Sequence, residues 1–133
     1  MKVAASRRRG LAHSLTARHH TLVADEPESE GGADAGPTPQ ELLALSLASC
    51  TAITIEMYAE RKGWDVGRLT VEVDHQPGSK QDPASFDVVL RLPETLSEEQ
   101  VESIRSIASR CPVHRALKQG VRIEDRVERF QAR

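Results

Sequence analysis

The stretch from Pro39 to Lys62 constrains this chain more than any other. It holds Leu42, Leu43, Leu45, Leu47, Ala48, Ile53, Ile55 and Met57, and it is apolar on nearly every side until about Ile55. Both ends are marked. Thr38 is an N-cap residue, and Pro39 stands at the first helical position, where its missing N–H costs nothing. Glu41, three residues after Thr38, completes the spacing of a capping box. Gly63 supplies the stop, after Arg61 and Lys62 at the negative end of the helix dipole. One long helix is predicted, and a helix apolar all round is expected to be buried all round. A thin sheet from the same chain is too little to cover it. A homodimer with a large, mostly apolar interface is therefore expected.

The flanks alternate between strand and helix patterns. Ser14 to Ala24 reads as a strand, and Asp25 to Pro39, with Pro27, Gly31, Gly32, Gly36 and Pro37, as a connector. Leu69 to Val73 and Phe86 to Leu92 alternate apolar and polar around a hairpin loop at Gln76 to Ala84. Ser97 and Gln100 form a second capping box, and Val101, Ile104, Ile107 and Ala108 follow at helical spacing. Pro112 interrupts that helix, a further turn runs from Pro112 to Gln119 and ends at Gly120, and Val121, Ile123 and Val127 read as a last strand. Helices mixed with antiparallel hairpins make the class α+β. The chain of 133 residues fits a single domain, 1–133, with residues 1–13 expected to be a flexible basic N-terminus around Arg7, Arg8 and Arg9.

Composition removes several function classes. Eighteen Lys and Arg against 20 Asp and Glu give a net charge of -2, which excludes a globally basic nucleic-acid binder. One Trp, one Tyr and two Phe are too few for a base-stacking platform. No uninterrupted apolar run reaches membrane-span length, and the N-terminus lacks the apolar core of a secretory signal. The expected compartment is the cytoplasm, where a cysteine pair is more often redox-active or metal-binding than a permanent staple.

Cys50 and Cys111 are the two cysteines. Cys111 precedes Pro112 and is thus an N-cap candidate, where free N–H groups and the helix dipole lower a thiol pKa. Cys50 lies mid-helix and would need charged groups brought by tertiary contact. The plainer alternative is two inert core thiols. Neither belongs to a CxxC pair, and His114 is the one histidine within three residues of either, so no metal and no cofactor is expected.

The segments Gly36-Pro37-Thr38-Pro39-Gln40-Glu41-Leu42-Leu43, Leu47-Ala48-Ser49-Cys50-Thr51-Ala52 and Tyr58-Ala59-Glu60-Arg61-Lys62-Gly63-Trp64 resemble the central-helix motif of the OsmC/Ohr family. Cys111-Pro112-Val113-His114-Arg115-Ala116-Leu117 resembles that family's second cysteine motif. The likeness runs from about His20 to Arg126. It implies a thiol-dependent peroxidase that reduces organic (alkyl or lipid) hydroperoxides to alcohols. It also implies antiparallel sheets wrapped around two central helices in an intertwined homodimer. In that picture Cys50 is the peroxidatic thiolate and Cys111 the resolving thiol. A Cys50–Cys111 disulfide forms and is reduced by a dithiol, in the Ohr branch typically a lipoyl-bearing protein.

One departure matters. The better-known branch has a glutamate ten residues before the peroxidatic cysteine, paired with an arginine; here Gln40 stands there and Glu41 follows. Glu41 points about 100° away from Gln40 on a helix. It is a candidate for the carboxylate role, with closure of the capping box as the alternative. Arg18 is the first candidate for the arginine, with His19 and His20 as alternatives and an exposed strand residue as the plainer reading. The Gly-Pro-Thr-Pro and Glu-Arg-Lys-Gly-Trp signatures resemble a second, less characterised OsmC-like lineage. A non-catalytic dimeric module, binding a small molecule or serving a stress response, is the competing expectation.

Overall fold

The computed structural model describes residues 1–132. Three antiparallel strands come first, β1 (Val3–Arg9), β2 (Ala12–Ala17) and β3 (His20–Ala24), in that order across the sheet. The one strand expected over Ser14–Ala24 is thus two. The chain reverses at Arg18 and His19, with Ala17 paired to His20 and Arg18 at φ 55°. No glycine or asparagine marks that reversal, so the run reads as continuous. Within the basic N-terminal segment, Val3 to Arg9 pair with β2 through a turn at Gly10, φ 59°.

The connector after β3 folds around Asp25. Its carboxylate, 3% exposed, accepts the backbone N–H groups of Glu26 (2.8 Å), Ala33 (3.1 Å) and Ala35 (3.1 Å). Bonds from Ala35 and Glu26 hold its pKa below the ordinary carboxylate value; burial opposes them, and Ala33 and the nearby His13 add to the lowering. A depressed carboxylate contributes stability that is present above its unfolded pKa and lost as pH falls through its folded one. Asp25→Asn is expected to lower Tm by several degrees at neutral pH and to flatten the decline on the acid side. Scanning calorimetry across pH checks this, and an unchanged Tm–pH curve would contradict it.

Helix α1 (Pro39–Lys62) has the predicted ends. Thr38 Oγ1 accepts the Glu41 N–H at 3.1 Å and Glu41 Oε1 accepts the Thr38 N–H at 2.9 Å. Gly63, φ 72°, closes the helix by donating to the Ala59 and Glu60 carbonyls. One stripe, Leu47, Thr51, Ile55 and Ala59, is buried. The expectation of burial all round fails within one chain: Leu43, Leu45, Ile53 and Met57 are 39%, 53%, 58% and 62% exposed. The physical reason is supply, because the chain brings partners to one side of α1 only.

Those partners are the hairpin β4 (Thr70–Gln76) and β5 (Ser85–Arg91), with Val71 opposite Leu90, and helix α2 (Glu98–Ala108). Ser97 and Gln100 close the second capping box as predicted. Ile55, Ala59, Val66, Ile104 and Ala108 form the core, with Trp64, Leu69, Leu90 and Leu92 packed against it. Helix α3 (Pro112–Gln119) follows. The last strand expected at Val121, Ile123 and Val127 is not formed, and the three residues are 68%, 76% and 89% exposed. A strand needs a neighbour's ladder to satisfy its backbone, and neither sheet of this chain lends it an edge. The β1–β3 sheet has no extended packing on the helices of its own chain. The class is α+β, with antiparallel sheets and three α-helices among the described residues.

Candidate active site

The two cysteines meet where the buried stripe of α1 reaches the start of α3. Thr51, 2% exposed, stands one turn before Ile55 on that stripe. Cys50 is rotated from it by about 100° and so keeps partial exposure. Cys111 is fully buried. It is placed by a tight turn at the end of α2, where Arg110 N–H donates to Ile107 and Cys111 N–H to Ala108. Pro112 then starts α3, and Cys111 is its N-cap: Sγ accepts the His114 N–H at 3.3 Å. The Thr51 hydroxyl lies 2.8 Å from the Leu47 carbonyl and 3.8 Å from Cys111 Sγ. Its single proton can turn to either acceptor, so a thiolate at Cys111 finds a donor ready.

The thiols lie near each other, and their pKa values are moved in opposite directions. Burial raises the Cys50 pKa most, the bond and like charge of Cys111 raise it further, and the Val113 N–H and Thr54 hydroxyl offset only part. Burial also works against a Cys111 thiolate. Bonds from Cys50, the His114 N–H, the Thr51 hydroxyl and the Val113 N–H outweigh it, and the Cys111 pKa falls below the ordinary thiol value. The two titrations are linked through the charge each thiolate would place on the other. The first turn of α3 thus serves both sulfurs, which makes it an anion-stabilising element built into the chain.

The other candidate residues stand apart from the thiols. Arg18 is exposed in the β2–β3 turn, with no hydrogen bond or ion pair among the described residues, and His19 and His20 lie beside it, their rings 4.1 Å apart. Glu41 faces its own N-cap backbone in the capping box. Gln40 reaches across to β4: its Oε1 lies 2.7 Å from His75 Nε2. The His75 ring stacks on Phe86 at 4.3 Å, with Nδ1 3.2 Å from the Ser85 carbonyl. Thr51, Thr54 and the Gln40–His75 pair escape sequence reasoning. Thr51 and Thr54 do follow Cys50 at one and four residues, on adjoining faces of the same helix, and that spacing is the only signal they give.

A family model described as "OsmC-like protein" matches residues 31–125, which include both cysteines. The chain belongs to the OsmC-like family. Solved structures carry the same fold. A Psychrobacter arcticus protein described as an osmotic stress induced and detoxification response protein superposes at TM-score 0.77 with 22% identity, over 87% of each chain. An OsmC-like protein from Mycoplasma pneumoniae gives 0.74 at 18% identity, over 88% of this chain and 86% of that one. The organic hydroperoxide resistance protein OhrB of Bacillus subtilis gives 0.59 at 21% identity, over 88% and 89%. Among proteins of curated function none matches this sequence. Within the OsmC-like fold, then, this chain brings its two thiols near each other at the start of α3.

Proposed function

We propose that this OsmC-like protein is a thiol-dependent peroxidase that reduces organic hydroperoxides to alcohols in the cytoplasm. The observation that carries the reading is the nearness of Cys50 to Cys111, whose Sγ caps the start of α3. Two thiols that lie near each other can pass from sulfenic acid to disulfide. Access supports Cys50 for the first attack, because Cys111 has no exposed surface. The Cys50 thiolate attacks the distal peroxide oxygen and the O–O bond breaks. The alkoxide takes a proton and leaves as alcohol, and Cys50 becomes a sulfenic acid. The Cys111 thiolate displaces hydroxide from it, giving a disulfide and, with one proton, water. A dithiol, such as a lipoyl-bearing protein, then reduces the disulfide by exchange.

Charge opposes access at one point. In a single chain burial and Cys111 raise the Cys50 pKa, so a reactive thiolate there calls for a cation beside it. Arg18 is the proposed source. Its sheet has no extended packing on α1 among the described residues, so it would act across the interface of a homodimer. Glu41 is the proposed carboxylate for its guanidinium, on exchange of its capping-box bond.

One equivalent of cumene hydroperoxide tests the reading. The expected result is rapid loss of both free thiols in the folded protein, and a slower loss in Arg18→Ala that recovers at higher pH. No loss, or loss as slow as in denatured protein, would favour the competing reading, a non-catalytic dimeric module for a small ligand or a stress response. Gln40 supports that second reading, since its amide is engaged by His75 and carries no charge to hold an arginine.

A further inference from the structure

The α-helices start on side-chain caps, and the cap of α3 differs in kind from the other two. Thr38 with Glu41 and Ser97 with Gln100 bond in both directions, hydroxyl to the N3 amide and N3 side chain to the cap amide. At α3 the bond runs one way. Cys111 Sγ accepts the His114 N–H at 3.3 Å, while the Cys111 N–H donates to the Ala108 carbonyl and not to His114. The His114 N–H has no second acceptor among the described residues. The side-chain cap of α3 is therefore a single sulfur, and one that can be oxidised.

Little else holds α3 in place. It has eight residues, short of the about 12–15 that a helix needs to persist alone, and none of them is buried. Its extended packing is on α1. After Gly120 the described chain runs on without a strand or helix to anchor it. Reduced, Cys111 offers this helix the best cap a sulfur can give, a thiolate beside the positive end of the helix dipole. The lowered Cys111 pKa reflects the same contact from the sulfur's side. A disulfide removes that cap. Two thiols give up two protons and two electrons to an oxidant, a hydroperoxide in the proposed reaction, and Sγ becomes a neutral, doubly bonded-over sulfur that accepts only weakly. The loss is not shared equally. The Thr51 hydroxyl keeps the Leu47 carbonyl at 2.8 Å, so α1 is spared. The His114 N–H keeps nothing, so the cost falls on α3.

We infer that α3 is a redox-read helix, ordered while Cys111 is reduced and loosened when that sulfur is joined to Cys50. The inference rests on the peroxidase reading only for the disulfide itself. The coupling is reciprocal: whatever orders α3 favours the reduced pair, so the helix makes the disulfide easier for an incoming dithiol to reduce.

Hydrogen exchange read by mass spectrometry on the full-length protein tests it, with diamide as the oxidant. Diamide takes up the two protons and two electrons, and the intact mass reads the disulfide as the loss of two hydrogens. The fragment holding α3 is expected to exchange about fivefold faster in the disulfide form, the scale of a lost N-cap, with the first turns of α1 and α2 unchanged. Cys111→Ser puts a hydroxyl at the cap and should keep α3 slow with or without diamide. Cys50→Ser, which leaves the Sγ cap in place, should do the same. Cys111→Ala has no acceptor and should exchange as the disulfide form does. Equal exchange in the reduced and disulfide forms would overturn the inference and leave the peroxidase reading standing, and so would a slow α3 in Cys111→Ala. A chain from which diamide removes no hydrogens would overturn both, because the pair would then form no disulfide.

Discussion

Cys50→Ser is expected to abolish hydroperoxide reduction, with a loss of about a thousandfold or more, equivalent to about 4 kcal/mol of barrier. Serine keeps the volume and removes the nucleophile. Cys111→Ser should behave differently. The first attack proceeds, no thiolate stands next to the sulfenic acid, and Cys50 is carried on to sulfinic and sulfonic acids. Mass spectrometry after peroxide treatment reads the difference as two or three added oxygens on Cys50 in the Cys111 variant. The alternative outcome is equally plain. The lowered pKa of Cys111 and the raised pKa of Cys50 favour Cys111 as the nucleophile on charge alone. Modification of Cys111 first in the wild type would mean that charge prevails over access, and the roles would exchange.

Dimer formation should be as sharp a result. Leu45, Ile53 and Met57 form part of an apolar surface on α1 that this chain leaves uncovered. Were the protein a monomer, Ile53→Glu would change a residue 58% exposed, and its effect on stability would be slight. In the proposed homodimer the same change places a carboxylate in an apolar interface. It should cost about 3 kcal/mol or more, at least a hundredfold in dimer Kd. Light scattering at micromolar concentration should show a dimer for the wild type and a monomer or unfolded chain for Ile53→Glu. A monomeric wild type would sink the assembly and, with it, the proposal that Arg18 acts across an interface.

What could be read from the sequence was local. Two capping boxes, at Thr38 with Glu41 and at Ser97 with Gln100, are written in residues three apart, and the structure has both. Pro112 after Cys111 foretold an N-cap, and Sγ accepts the His114 N–H there. Features that depend on distant partners were not readable. Thr51 is separated from Cys111 by 60 residues and Gln40 from His75 by 35, and no periodicity joins such positions. The last strand failed for the same reason in reverse. The alternation at Val121 and Ile123 is real, but a strand exists only with a neighbour to bond. The β2–β3 turn went unseen because an arginine occupies a place that turn chemistry assigns to glycine.

In the role proposed for it, that arginine would put thermal robustness and reactivity in opposition at one residue. A side chain at φ 55° carries a backbone penalty of about 1–2 kcal/mol that glycine would not. Removing it would tighten the hairpin and discard the guanidinium together. A screen that rewards survival of heating should therefore accept glycine at position 18, and one that rewards survival of hydroperoxide should reject it. The two selections would pull the same codon in opposite directions, and the native arginine would mark which of them the chain has lived under.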